Sequence, residues 1–417
     1  MRGTSTKTVV ASVYERLAFT TFASAQGLKL TVISPNEDWW SITLPVSQAN
    51  KLFDAQFEVF THPAMNNTIT RTLSISLPVE LVDHVDVLSP STEFVTPNPR
   101  LVATAPSVPL EKRVDASCDT STASGVITPA CLQALYGIPI APATQPTNML
   151  LVTGYEAEWA QTADLTSFLT LERPDISSDT TFGLLTLDGG VNTRRPTSAE
   201  SEANLDIEYT VGAFPSRDSG NVKLDTKFRY CNGSSSTIPF GGRRLRDCHV
   251  GHNYLDGVEN PPAVLTTSYG DFETSFGLNF ATKVCNGYMA LGARGISVLF
   301  SSGDGGVRGN HDTTDVCSVD TFLPVFPAGC PYVTAVGSTQ SFASEKATNF
   351  TGGGFTNFFP TPSYQSTAVS TFLETGVPAN SAGTFNQTGR GYPNHMCKEP
   401  GPRFPGEIPR AKAGKAV

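Results

Sequence analysis

Between residues 149 and 336 the chain alternates short, uncharged runs rich in apolar residues with longer segments whose apolar residues recur at helical spacing. The short runs are Met149 to Gly154, Phe182 to Leu187, Val264 to Ser268, Ile296 to Phe300 and Val333 to Val336. Each is predicted to be a strand, and Ile296 to Phe300, nearly all apolar with no charge, a strand buried on both faces as inside a parallel sheet. Helices are predicted over Ala163 to Leu171 and Phe272 to Leu291; in the second, Phe276, Phe280, Val284 and Tyr288 fall on every fourth position as one buried stripe. Strands alternating with helices predict an α/β fold built on a doubly wound parallel sheet.

Residues 9 to 89 follow a different, compact and mixed pattern. Strands are predicted over Leu28 to Ser34 and Trp40 to Val46, joined across a Pro-Asn-Glu-Asp turn. Ser47 is the expected N-cap of a helix with Ala49, Leu52, Phe53 and Phe57 on one face. Two more strands, Phe57 to Phe60 and Thr72 to Leu77, and a short amphipathic helix, Val79 to Leu88, complete a small α+β domain, residues 1–95. A linker, 96–113, carries Pro97, Pro99, Pro106 and Pro109 and ends in Lys112-Arg113, a dibasic pair placed where a processing protease would cut. The main domain is assigned to 114–393. From Asn394 to Val417 the chain is rich in Pro, Gly, Lys and Arg, and this tail is expected to add no strand or helix to the sheet.

Two stretches carry candidate chemistry. Asp304 sits just past the carboxyl end of the Ile296 to Phe300 run, inside Ser-Ser-Gly-Asp-Gly-Gly. Open α/β sheets place ligands beyond the carboxyl ends of their strands, and flanking glycines let the backbone turn sharply there. In Glu202-Ala203-Asn204-Leu205-Asp206-Ile207-Glu208-Tyr209 the apolar residues alternate, which suits a strand, yet Glu202 and Asp206 are spaced for one face of a helix. The two readings differ in distance: roughly 13 Å along a strand against roughly 6 Å along a helix. Only the helix lets the two carboxyls share a proton.

Composition narrows the field. The 417 residues are 39% hydrophobic and 16% charged, ordinary values for a globular chain long enough for two domains. A formal net charge of −9 argues against a nucleic-acid partner and suits work in acid. Six dispersed His residues and no CxxC pair give no zinc pattern; His311, Asp312 and Asp315 read as a solvated turn. Of the eight cysteines, Cys118 with Cys131 and Cys317 with Cys330 each bracket a short loop. Sequons at Asn66, Asn232, Asn349 and Asn386 fit a secreted protein, although Met1 to Thr20 contains no apolar core of a signal peptide. No run is long and apolar enough to span a membrane.

Several motifs resemble the sedolisin, or serine-carboxyl peptidase, family. They are Ala293-Arg294-Gly295 through Val307, Phe326 through Gly337, Ile127 to Tyr136, Glu202-x-x-x-Asp206, and Gly352 to Pro360 with Ser363-Tyr364-Gln365. The Trp39-Trp40 region and the run from Leu77-Pro78 to His84 resemble the family's propeptide. The resemblance implies a subtilisin-like sheet, incomplete at its carboxyl end, behind a propeptide that aids folding and inhibits the enzyme. It further implies a monomeric, secreted, tripeptidyl-peptidase-like zymogen acting on peptides in acid. Glu202 matches the general base, Asp206 the acid that orients it, and Asp304 the oxyanion partner; Glu208 matches no assigned role. The family's nucleophile lies in Gly-Thr-Ser-Ala after Tyr-Pro-Asp, whereas here Tyr392-Pro393 leads into Asn394-His395-Met396 and Gly-Thr-Ser occurs only at Gly3-Thr4-Ser5. The aspartates that bind calcium in the family are likewise missing from the sequence. Three readings follow: a peptidase zymogen whose sequence is cut short, a non-catalytic peptide-binding or regulatory relative, and an unrelated α/β hydrolase, for which no Gly-x-Ser-x-Gly elbow is present.

Overall fold

A computed structural model of the chain describes residues 13–61, 68–92, 94, 127–141, 149–155, 159–186, 192, 201–214, 228–230, 254–309, 321–340, 346–377, 381 and 383–398. The linker with Lys112-Arg113, the His311 to Asp315 turn, Cys118, Cys317 and the sequons at Asn66 and Asn232 lie outside the described residues. The chain divides into two compact units, one of Met1–Asn98, Gly233–Pro261 and Glu273–Ile296, the other of Pro99–Asn232, Pro262–Phe272 and Ser297–Val417.

The first unit opens with helix α1 (Val13–Ala25), which buries Phe22 and Ala23. Strands β1 (Leu30–Val32) and β2 (Trp40–Ile42) pair antiparallel, Leu30 opposite Ile42. Their turn is tied by Ser34 Oγ, which accepts from the backbone N–H of Asp38 at 3.1 Å and of Trp39 at 2.9 Å. Helix α2 (Val46–Leu52) starts from Pro45, so Ser47 lies inside its first turn and caps nothing. Ala49, Phe53 and Ala55 form its core, with Leu52 and Phe57 packed at the edge.

Strands β3 (Glu58–Thr61) and β4 (Thr68–Arg71) pair antiparallel, so the second strand precedes the expected Thr72 to Leu77. That later segment joins no ladder and gives N–H groups to scattered partners: Thr72 to Ser91 O and Ser76 to Phe53 O. The expected helix over Val79 to Leu88 is a single 3-10 turn, Val79–Leu81, because Val82 is extended at φ −61° and ψ 138° and Asp83 then takes a left-handed φ of 65°. The same unit holds a 16-residue helix, Leu278–Ala293. It starts later than Phe272 because Gly277, at φ 75°, turns the chain just before it; Phe276 stays buried and stacks on Phe280. Trp39 meets Phe280 edge-on at 6.2 Å, and Lys283 Nζ pairs with Asp38 Oδ2 at 2.9 Å.

In the second unit helix α3 (Pro129–Tyr136) shows all its punctuation in sequence: Thr128 Oγ1 accepts from Cys131 N, Pro129 opens the first turn, and Gly137 closes it at φ 64°. Next come β5 (Leu150–Gly154), α4 (Thr162–Glu172), β6 (Leu184–Thr186), α5 (Ser201–Ala213), β7 (Phe228–Tyr230) and β8 (Val264–Thr267). They are followed by β9 (Asp271–Phe272), β10 (Ser297–Ser301), β11 (Val325–Phe326), β12 (Thr334–Gln340) and β13 (Lys346–Ala347). The central sheet runs β6-β7-β5-β8-β10-β12, all parallel. The chain leaves β5 for the far edge, returns through β7, and crosses to β8 on the other side of β5, so the order reverses between β5 and β8. Ligands gather at such a reversal in open α/β sheets.

Strands β14 (Gly354–Pro360) and β15 (Gly389–Tyr392) form a separate antiparallel pair, with α6 (Ser366–Thr375) between them. Beyond it, the expectation of a structureless tail from Asn394 fails for its first residues. Strand β16 (His395–Lys398) pairs in parallel with β12, Val336 opposite His395. Its placement rests on hydrogen bonds to the backbone of β12, which apolar composition does not reveal: Asn394 N donates to Ala335 O, and Ala335 N to the side-chain Oδ1 of Asn394, both at 2.8 Å. Buried Arg390 braces the approach, donating to Val333 O at 2.8 Å and Asn394 Oδ1 at 2.6 Å. Cys131, Cys285 and Cys330 are disulfide-bonded. No helix among the described residues is long and apolar enough to cross a membrane.

Candidate active site

The Glu202 to Tyr209 segment is a helix. Its alternating apolar pattern misleads because α5 is buried on every side: Ala203, Leu205, Ile207, Tyr209 and Val211 join the core of α4 and β5, while Glu202, Asn204, Asp206 and Glu208 are also buried. A helix enclosed all round has no polar face and therefore no amphipathic period to read. Glu202 and Asp206 thus stand one turn apart, with 4% and 2% of their surface exposed.

Asp206 is held from the sheet. Ser268, the first residue after β8, donates its hydroxyl to Asp206 Oδ1 at 2.8 Å. Thr153 and Thr267, at the ends of β5 and β8, share a hydroxyl contact at 2.7 Å, and Tyr155 and Tyr269 beyond them meet edge-on at 5.3 Å. The acid pair therefore sits at the strand-order reversal. Ser268 carries no predicted role in the sequence; its place as the last residue of a predicted strand is the one available signal.

The opposite face of α5 is fixed to α4. Asn204 Oδ1 accepts from Gln161 N at 2.8 Å, and its amide donates to Asp164 Oδ2 at 2.7 Å. Burial raises the Asp164 carboxyl above its ordinary range, and the Asn204 bond opposes the rise. Tyr209 Oη donates to Ile127 O at 2.8 Å, and Gln133 Nε2 to Ala213 O at 2.7 Å, so α3 anchors the carboxyl end of the helix.

Asp304 lies three residues past β10, which neighbours β8 in parallel, so it stands at the same carboxyl end of the sheet as Ser268. Its loop is clamped from two sides. Ser302 N donates to Val336 O at 2.9 Å, and Gly352 N to Gly303 O at 2.6 Å. Gly303 takes φ 99°, open to glycine and strained for other residues. Gly352 has to be glycine for space: a Cβ there would lie 2.0 Å from Ser302 O. The glycine-rich run, which as a sequence had no phosphate-binding pattern, serves as the floor of the Asp304 loop. Among the described residues no three His, Cys, Asp or Glu side chains are grouped to hold a metal ion.

The chain is similar to known proteins over much of its length. Residues 15–94 match the family described as "Pro-kumamolisin, activation domain". The chain is 32% identical over 381 residues to "Probable tripeptidyl-peptidase SED4" of Trichophyton verrucosum, covering 89% of this chain and 61% of that protein. It is 32% identical over 380 residues to "Tripeptidyl-peptidase SED2" of Arthroderma otae, covering 88% and 62%. The chain thus spans about three-fifths of the length of these curated relatives. A solved Pseudomonas sedolisin complexed with two molecules of pseudo-iodotyrostatin aligns with TM-score 0.45 at 17% identity, over 66% of this chain and 70% of that one. Over the residues it shares with these relatives, the chain is similar to the pro-kumamolisin activation domain and to the tripeptidyl-peptidases of the sedolisin family.

Proposed function

We propose that the chain carries the activation domain and the base, orienting and oxyanion groups of a secreted, acid-acting serine-carboxyl peptidase zymogen that removes tripeptides. The observation that supports it most is the pair Glu202 and Asp206, one turn apart on an enclosed helix and tied to the sheet through Ser268. In the proposed reaction Glu202 takes the proton of a serine hydroxyl as that oxygen attacks the peptide carbonyl. Asp206 holds Glu202 in place, and Asp304 donates a hydrogen bond to the oxyanion. An acid can donate that bond only while protonated, and two enclosed carboxyls hold a shared proton best in acid. Both demands favour an acid optimum.

The family's Gly-Thr-Ser-Ala motif does not follow Tyr392-Pro393 in these residues, and β16 follows instead. That observation favours a second reading, a peptide-binding relative without turnover. Calcium is carried by the resemblance alone, and no proposed step uses it. The test is the transcript read past the codon for Pro393, followed by assay of its product on a tripeptidyl substrate at acid and neutral pH. Continuation into Gly-Thr-Ser-Ala, with acid turnover lost in Glu202→Gln, Asp206→Asn and Asp304→Asn, supports the peptidase. Near-normal turnover in any variant removes that residue from the mechanism, and a genuine stop after Val417 leaves the binding reading.

A further inference from the structure

Glu208 is the third acid on α5 and has no part in the proposed chemistry. It lies about 200° round the helix from Asp206, on the face that Asn204 fixes to α4. Its side chain is 1% exposed, and neither carboxyl oxygen has a hydrogen-bond partner among the described residues. A buried carboxylate without partners is costly, whereas the neutral acid costs far less.

The surroundings add to that cost. Helices α3 and α4 and strand β5 pack against α5. Helix α4 presents Asp164 and Glu172, both acids whose charge acts on Glu208. The nearby cation Arg173 is committed elsewhere: it grips the Asp175 carboxylate at 2.8 and 2.7 Å and donates to Gly212 O. Helix α3 offers Tyr136 alone, which is exposed, and β5 carries no titratable side chain. On α5 itself, Glu202 and Asp206 occupy the opposite face. Burial first, then Asp164 and Glu172, hold the Glu208 carboxyl well above its ordinary range.

We propose that Glu208 is a positioning residue that seats the site helix on α4 as the neutral acid and loosens that seat as the carboxylate, so that the placement of Glu202 and Asp206 is itself acid-dependent. The proposal concerns the helix and stands whether or not the chain is a peptidase. The folded state holds a proton on Glu208 that the unfolded chain has already released. The contribution is therefore complete below the ordinary glutamate range and is lost as pH rises through the raised value.

The test is thermal unfolding of the full chain and of Glu208→Gln across acid to neutral pH. Gln keeps the shape and cannot ionise. The wild-type midpoint should fall with rising pH more steeply than that of the variant, by about 3 °C per pH unit for one proton. Parallel profiles, or a constant offset between them, would overturn the proposal, because a merely structural glutamate shifts the midpoint equally at every pH. If the variant does not fold, amide hydrogen exchange on the wild-type chain decides. After correction for intrinsic rates, protection over 201–213 should drop towards neutral pH while β8 and β10 keep theirs. Equal retention by α5 and the strands sinks the idea.

Discussion

Replacing Gly352 by Ala tests whether the glycine-rich run acts as the floor of the Asp304 loop. The new Cβ would stand 2.0 Å from Ser302 O, 2.5 Å from Ser302 C and 2.8 Å from Gly303 O. An ordinary contact is about 3.5 Å, so one backbone must retreat by about 1.5 Å. Neither is free to do so. Gly352 N is bonded to Gly303 O, and Ser302 N to Val336 O on the neighbouring strand. Overpacking costs about 1–3 kcal/mol, and one lost buried backbone bond adds about 1 kcal/mol, giving about 2–4 kcal/mol together. For a unit of this size that is a midpoint shift of about 5–10 °C in thermal unfolding. Gly353→Ala is the control. There the nearest atoms, Pro393 Cδ and Tyr392 O, are at 3.5 Å and a methyl group fits, so its stability should stay within about 0.5 kcal/mol of wild type. Equal stability of the two variants would refute the clamp, as would a Gly353→Ala loss as large as that of Gly352→Ala. In an active form, Gly352→Ala should also lower turnover, because the Asp304 loop is the segment that must yield.

Ser268→Ala removes the donor to Asp206 Oδ1 and should cost about 1–3 kcal/mol in chemical denaturation. Ser268→Thr, which keeps a hydroxyl, should recover most of it; an unchanged midpoint in the Ala variant would show that the bond carries little. Asp256 is raised to about 6, by burial first, with Asp38 adding and Arg294 opposing. Its contribution to stability is therefore complete below the ordinary aspartate range and lost as pH rises through about 6. Asp256→Asn should flatten the wild-type decline over that window, and an identical decline in the variant would rule the group out as its source.

Much of the architecture was legible along the chain because the signals were local. The runs before Gly154, Ser268 and Ser302 are uncharged and built from apolar residues with Thr or Ser, and each is a strand of the parallel sheet. The Thr128-Pro129 start and Gly137 stop of α3 follow from capping chemistry alone. Weaker segments failed for identifiable reasons. Thr72 to Leu77 is apolar enough for a strand but finds no continuous partner, and Val79 to Leu88 has helical spacing broken at Val82 and Asp83. The hairpin of β14 and β15 was not anticipated, since its strands lie nearly thirty residues apart in sequence and meet through long-range pairing.

For the candidate site, the sequence by itself determined which acids are present and that Glu202 and Asp206 share a face under either conformation. It also placed Asp304 after a strand end. Whether the pair lies one turn or four extended residues apart was decided by tertiary structure, because a helix buried on all sides loses the polar period that would identify it. The Ser268 bond to Asp206, the Gly352 contact beneath the Asp304 loop and the parallel seating of β16 on β12 likewise join residues far apart in the chain. Local propensity carries no information about such contacts, because each joins segments that only the assembly of the sheet brings together.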